Sequence, residues 1–234
     1  MGQVLYEKPI RIELTDNTIF VNGSQHPRDA RTLAQMKNTL MEAVDGNRET
    51  YYMYRGIHQE ENIRFDITVI PAEPLGEECN KTHGHYHERN NEGIEYPEIY
   101  QVLKGKAVFL LQKDNPSGSV DVIIVDAKKG DVVLMPPNYG HVTINNGEET
   151  LVLANLIYKN FSSLYDEYKR NKGGAYYYTK DHELVQNTNY IVHENERISP
   201  EELNKRYEIS CKDLLTELHN DPHKFAFLEK PGML

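Results

Sequence analysis

The chain has 234 residues, 38% apolar and 26% charged, with 16 Tyr and 6 Phe, a composition that excludes a disordered chain and allows a core of useful size. Its formal charge of -10 excludes broad nucleic-acid or anionic-membrane binding and leaves room for a local small-anion pocket. No stretch approaches the roughly 18 uncharged apolar residues that a spanning helix needs. The segment from Met1 to Pro9 has no signal-peptide core, Tyr6 breaks the myristoylation pattern, and the two cysteines, Cys79 and Cys211, build no disulfide scaffold. These features predict a cytoplasmic setting with no membrane contact.

Three zones follow, 1–60, 61–170 and 171–234, expected to pack as one compact domain. In the first, Ile10–Leu14 alternates like a strand. Leu33, Met36, Leu40 and Val44 then recur at helical spacing, which predicts a helix over about 28–44 that Asp45-Gly46 stops. Tyr51, Tyr52 and Tyr54 open another strand. The middle zone is a succession of strand-like runs: Ile63–Ile70, Ile99–Leu103, Ala107–Leu111, Val120–Val125, Val132–Met135 and Leu151–Ile157. Turn signals such as Asn115-Pro-Ser-Gly118, Lys129-Gly130 and Asn146-Gly147 separate them, and no helical period intervenes. That order predicts a mainly β antiparallel sandwich or barrel. The last zone runs from Tyr176-Tyr-Tyr178 to a helix capped at Ser199-Pro-Glu-Glu202 and reaching about His219, with Leu203, Tyr207, Cys211, Leu214 and Leu218 on one packing face.

The chemistry concentrates in Thr82-His83-Gly-His85-Tyr-His87. In an extended segment His83, His85 and His87 share a face, where imidazoles two residues apart can converge on one metal ion. Glu98 follows, then six residues and Gly105. Gly130 is followed by five residues, Pro136-Pro-Asn138, two residues, His141, three residues and Asn145. This pattern resembles the two boxes of the cupin superfamily, a double-stranded β-helix or jelly-roll barrel. Asn138 stands where Gly is usual, and Asn tolerates a left-handed turn. The spacing leaves either His83/His85 or His85/His87 as the first metal pair. Three imidazoles and one carboxylate suit Fe(II), Mn(II), Ni(II) or Zn(II) with open positions for substrate.

A closer resemblance lies in Thr82-His-Gly-His-Tyr-His87, Glu98-Ile-Tyr100, Leu103-Lys-Gly105, Leu110-Leu-Gln112 and Pro136-Pro-Asn-Tyr-Gly-His141-Val-Thr-Ile-Asn145, with Thr68 seventeen residues before His85. Over about residues 50–165 the chain resembles the cupin-type glucose-6-phosphate isomerases. The resemblance implies metal ligands His85, His87, Glu98 and His141, with Fe(II) the foremost ion, and places His83 outside the set. It implies a sugar phosphate held by Thr68, Thr82 and the Gly84 backbone. Tyr51 and Tyr100 would line the pocket, and Tyr158 and Tyr165, with one inserted residue in the alignment, would stand at the phosphate side. It further implies interconversion of glucose 6-phosphate and fructose 6-phosphate in glycolysis and gluconeogenesis, with Glu98 as the base at the metal. A homodimer is expected, since cupin sheets commonly pair and the terminal helix has a face to bury. Asn145 is expected to be a turn residue, and Lys81, Arg89 and Lys104 to be solvated surface charge. With so acidic a shell, anion attraction is expected from mostly neutral pocket groups. Two other readings use the same residues: a non-haem metal cupin dioxygenase and a non-catalytic sugar-phosphate-binding cupin. Past about residue 170 nothing in the resemblance accounts for the extension.

Overall fold

Segments rich in β-branched and aromatic residues become strands wherever turn residues bound them. The computed structural model describes residues 2–234. A meander of β1 (Gln3–Tyr6), β2 (Ile12–Thr15), β3 (Thr18–Val21) and β4 (Ser24–Gln25) leads to β5 (Asp29–Thr32), the single turn α1 (Leu33–Met36) and β6 (Glu49–Glu60). The central strands are β7 (Ile63–Ile70), β8 (Tyr86–His87), β9 (Glu98–Lys104), β10 (Lys106–Asp114), β11 (Val120–Lys128), β12 (Val132–Met135), β13 (Gly140–Asn145) and β14 (Leu151–Tyr158). Then come β15 (Ser163–Leu164), α2 (Asp166–Arg170), β16 (Tyr176–Tyr178), β17 (Leu184–Gln186), β18 (Val192–Ile198), α3 (Pro200–Arg206) and α4 (Leu214–Asn220). No helix is long and apolar enough to cross a membrane among the described residues.

Two sheets face each other, one ordered β12-β9-β14-β7-β6-β5 and the other β13-β10-β11-β18. They form the mainly β jelly-roll barrel that the two boxes predict. The first zone lends β5 and β6 to one sheet, and β18 from the last zone pairs in parallel with β11 on the other. Both outer faces are covered. Phe65, Ile67, Val69, Ile99, Val152 and Leu156 pack against Tyr6, Ile12 and Ile19 of the meander and against Leu214, Leu215 and Leu218 of α4. Val108, Leu110, Val122, Ile124, Val142 and Ile144 pack against Tyr86, Tyr168, Tyr178 and Tyr190. Between the sheets lie Phe109, Leu111, Ile123, Val125, Val133, Met135, Leu151 and Leu153. Each strand therefore sends alternate side chains to two dry layers, so nearly every residue of β9 and β14 is buried.

The flanking helices are shorter than their periodicity predicts. Leu33, Met36 and Leu40 are buried as expected, but the helix lasts one turn, with Thr32 and Gln35 forming a reciprocal capping box, and the chain is extended again at Leu40. Tertiary partners replace the missing helical hydrogen bonds: Lys81 Nζ donates to the Thr39 carbonyl at 2.9 Å, and the Met41 N–H donates to Glu78 Oε1 at 2.7 Å. Lys81 is thus a buried residue ion-paired to Glu78, not the solvated charge its type suggests. The C-terminal helix also divides. Glu208 takes a positive φ of 56°, and Asp213 caps a second helix by accepting from the Thr216 N–H at 2.9 Å. Only half of the box at Ser199 forms: its hydroxyl accepts from the Glu202 N–H at 3.1 Å, while the Glu202 carboxylate pairs with Arg206 at 3.0 Å.

Candidate metal centre and active-site cavity

Gly84 decides which histidines meet. Its φ of +82° breaks the extended alternation, so His83 leaves the face that His85 and His87 share. His83 is buried against the Tyr165 ring at 5.1 Å, its Nδ1 lies 3.1 Å from the Gly84 carbonyl, and burial pushes its pKa down to about 4. No side chain fits at Gly84, where a Cβ would lie 2.5 Å from Tyr168 Cδ1 and 2.7 Å from Val142 Cγ2. His85 and His141 exchange backbone hydrogen bonds of 3.2 and 3.0 Å, which ties the histidine segment to β13. Glu98 arrives from β9 on the opposite sheet. One ligand atom each from His85, His87, Glu98 and His141 lies within 4.8 Å of the others.

The donor set fits a divalent cation. His87 Nδ1 lies 2.7 Å from the Tyr96 carbonyl, which places the ring proton there and turns the Nε2 lone pair inward. That lone pair faces His85 Nε2 at 3.1 Å and Glu98 Oε2 at 3.4 Å, while His141 Nε2 also lies 3.4 Å from Glu98 Oε2. Lone pairs aimed at one another and at a carboxylate repel unless a cation stands among them. Burial, and then the neighbouring imidazoles, holds His85 and His141 well below the usual histidine range, so both are neutral and available as ligands. The other carboxylate oxygen of Glu98 accepts from Asn155 Nδ2 at 2.6 Å.

Beside the cluster opens a cavity of about 210 Å³ lined by Tyr51, Thr68, Thr82, His85, Glu98, Tyr100 and Tyr165 of the expected residues. Thr82 Oγ1 accepts from the Thr143 N–H at 2.9 Å, which leaves its own proton for a ligand. Burial, and then the Glu98 carboxylate, raises the Tyr100 pKa well above 10, so its hydroxyl stays a donor. Gly84 and Tyr158 do not line the cavity. Tyr158 fails on strand parity: it sits opposite Ile63 on the outer face of the sheet and stacks on Tyr96 at 4.8 Å. Asn138 does take the left-handed turn, with φ of 66°, and Asn145 is a turn clamp whose Nδ2 donates to the carbonyls of Ile70 at 2.8 Å and Glu149 at 2.9 Å.

The profile of the glucose-6-phosphate isomerase (GPI) family matches residues 25–195. The chain belongs to the glucose-6-phosphate isomerase family. Relatives in that family include the enzyme of Thermococcus litoralis, 29% identical over 161 residues that cover 64% of this chain and 79% of that one. The enzyme of Pyrococcus abyssi is 30% identical over 157 residues, covering 63% and 78%. Among solved structures, the oxalate decarboxylase of Lactobacillus farciminis aligns with 21% identity and a TM-score of 0.36 over 49% of this chain and 31% of that one.

Other lining residues of this isomerase-family cavity escape motif reading: Met53, Arg55, Arg64, Asp66, Asn155, Phe161 and Ser163. Arg64, Asp66 and Thr68 alternate along β7, and that polar alternation inside an apolar strand was the available signal. Asn155 is likewise the one polar residue within Leu151–Ile157. Phe161 and Ser163 lie in a connection with no such pattern. The cavity is therefore not lined by neutral anion-binding groups alone. Arg64 makes a bidentate pair with Asp66, with contacts of 2.8–3.0 Å, and Arg55 pairs with Asp29.

Proposed function

We propose that the protein interconverts glucose 6-phosphate and fructose 6-phosphate, a step of glycolysis and gluconeogenesis, with one divalent transition metal per chain, Fe(II) foremost and Mn(II), Ni(II) or Zn(II) as alternatives. The observation that carries this reading is the convergence of three inward imidazoles and Glu98 beside a cavity lined by hydroxyl donors. The cavity's 210 Å³ is small against the roughly 300–1,000 Å³ of drug-sized pockets and suits one small polar ligand.

His85, His87, Glu98 and His141 would hold the ion. When bound, it supplies Lewis-acid stabilisation for the negative charge that develops on the sugar's O1 and O2. The chain's own residues do the rest. Thr68, Thr82 and Tyr165 donate hydrogen bonds to the phosphate and fix the sugar's direction, and Tyr51 and Tyr100 close the sides. Glu98 takes the C2 proton, and the electrons of that C–H bond become the C1–C2 double bond of an enediolate. The hydroxyl proton on O2 passes to O1, the O2 electrons close to a ketone, and Glu98 returns its proton to C1. No proton is gained or lost overall. Asn155, bonded to one Glu98 oxygen, fixes the carboxylate plane throughout.

A second reading has its own observation. Both Glu98 oxygens are engaged, one by Asn155 and one by the imidazole cluster, which favours direct hydride transfer from C2 to C1 over a free base. Turnover in D2O separates the two: deuterium at C1 of fructose 6-phosphate supports the proton route, and complete retention of the substrate hydrogen removes Glu98 as base. The activity itself is tested on protein stripped with a chelator and restored with single metals in a coupled dehydrogenase assay. Activity returns with at least one ion, and silence with all four overturns the reading.

A further inference from the structure

A second histidine–glutamate cluster lies outside the lumen. His58 and Glu60 are two residues apart on β6, opposite Phe65 and Ile63 of β7, and so on the outer face that α4 covers. His219, in the last turn of α4, meets them there. His58 Nε2 lies 2.9 Å and His219 Nδ1 3.2 Å from the same oxygen, Glu60 Oε1. The two rings stand 5.9 Å apart at 61°, and one ligand atom from each of the three residues lies within 4.8 Å of the others.

These separations are hydrogen-bond lengths, just short of the spacing around a bound ion. Tetrahedral bonds of about 2.0–2.1 Å put neighbouring ligand atoms roughly 3.3–3.4 Å apart, so an outward shift of a few tenths of an ångström at these partly exposed side chains opens room for an ion. Two imidazoles and one carboxylate form a zinc-class donor set, and solvent supplies the remaining position. The placement gives such an ion a task. His219 lies beyond residues 25–195, the stretch matched by the family profile, while His58 and Glu60 lie within it. A cross-link between segments so far apart in sequence removes much freedom from the unfolded chain and fastens the extension down.

We propose that His58, Glu60 and His219 form a second divalent-metal site, of the Zn(II) class, which clips the C-terminal helix to the outer face of the barrel and stands apart from the lumen centre. Chelator-stripped protein loaded with Zn(II) and desalted should retain two equivalents per chain, and His219→Ala one, with unchanged isomerase activity. In a His85→Ala/His141→Ala background one equivalent should remain and vanish when His219→Ala is added. Co(II) in that background should give the visible absorption of a tetrahedral site, again lost with His219→Ala. Zn(II) should slow proteolysis of the C-terminal segment about tenfold in the wild type and leave His219→Ala unaffected. Equal Zn(II) content in wild type and His219→Ala overturns the site. Unequal content with no change in proteolysis overturns the clip.

Discussion

The two histidine–glutamate clusters share their chemistry and differ in burial. In the lumen His141 is 1% exposed and Glu98 3%, whereas on the outer face the His219 side chain is 49% exposed and that of Glu60 31%. Burial makes the inner arrangement obligatory: neutral imidazoles and a carboxylate share a dry space where Coulomb forces are barely screened. The outer trio is solvated. There the His219 hydrogen bond holds the Glu60 pKa below its usual value, against a small cost of burial, and the pairing itself is worth about 0–1 kcal/mol. On the readings proposed above, one donor set would serve as a reaction centre where it is buried and as a fastening where solvent reaches it.

Paired substitutions test that contrast. The largest effect belongs to Glu98→Gln, which would remove the proposed base and anionic ligand and should lower kcat by about 10²–10⁴, while Glu60→Gln should change it less than twofold. The coupled assay reads both, and a Glu98→Gln enzyme within tenfold of wild type would end the case for the lumen carboxylate. Next, Thr82→Val should raise KM roughly tenfold, the cost of about one charge-assisted hydrogen bond. Tyr158→Phe, on the outer face, should leave kcat/KM within twofold; a larger loss would mean the tyrosine reaches substrate after all.

The smallest effect extends burial to the phenols. Burial raises the pKa of Tyr6, next to Asp213 and Cys211, and that of Tyr168, whose hydroxyl has no partner among the described residues. A raised native pKa contributes stability that is intact below the unfolded value of about 10 and is lost as pH climbs past it. The free energy of unfolding should therefore fall between pH 10 and 11, by up to about 1.4 kcal/mol per pH unit for each such tyrosine, with the melting temperature falling alongside it, and both falling less steeply in Tyr168→Phe. A flat profile would contradict it.

The central strands were legible because turn residues punctuate them, and Val132–Met135 matches to the residue. The four side chains that converge in the lumen were legible through the family resemblance, since spacing alone left His83/His85 and His85/His87 open and the backbone at Gly84 separates them. The helix expected over 28–44 was not, since Leu33, Met36 and Leu40 satisfy a helical period and a buried loop equally well, and the choice depends on Lys81 and Glu78 far along the chain. Tyr158 could not be assigned by resemblance because a one-residue shift on a strand reverses its face. His219 carries no motif at all, being 159 residues from Glu60. Arg64 and Asp66 could have been found, since strand alternation alone sends them to the side of Thr68.

The parallel pairing of β18 with β11 has a consequence for how the chain is made. Without β18, the six residues from Val120 to Val125 would present an open row of N–H and C=O groups, a template for wrong partners. β18 covers that row with Val-His-Glu-Asn-Glu-Arg-Ile, and its exposed Glu194 and Arg197 make a poor surface for the next strand. A ribosome delivers this guard after every other barrel strand. The lumen cluster and the strands that carry it are therefore synthesised before the strand that closes this edge.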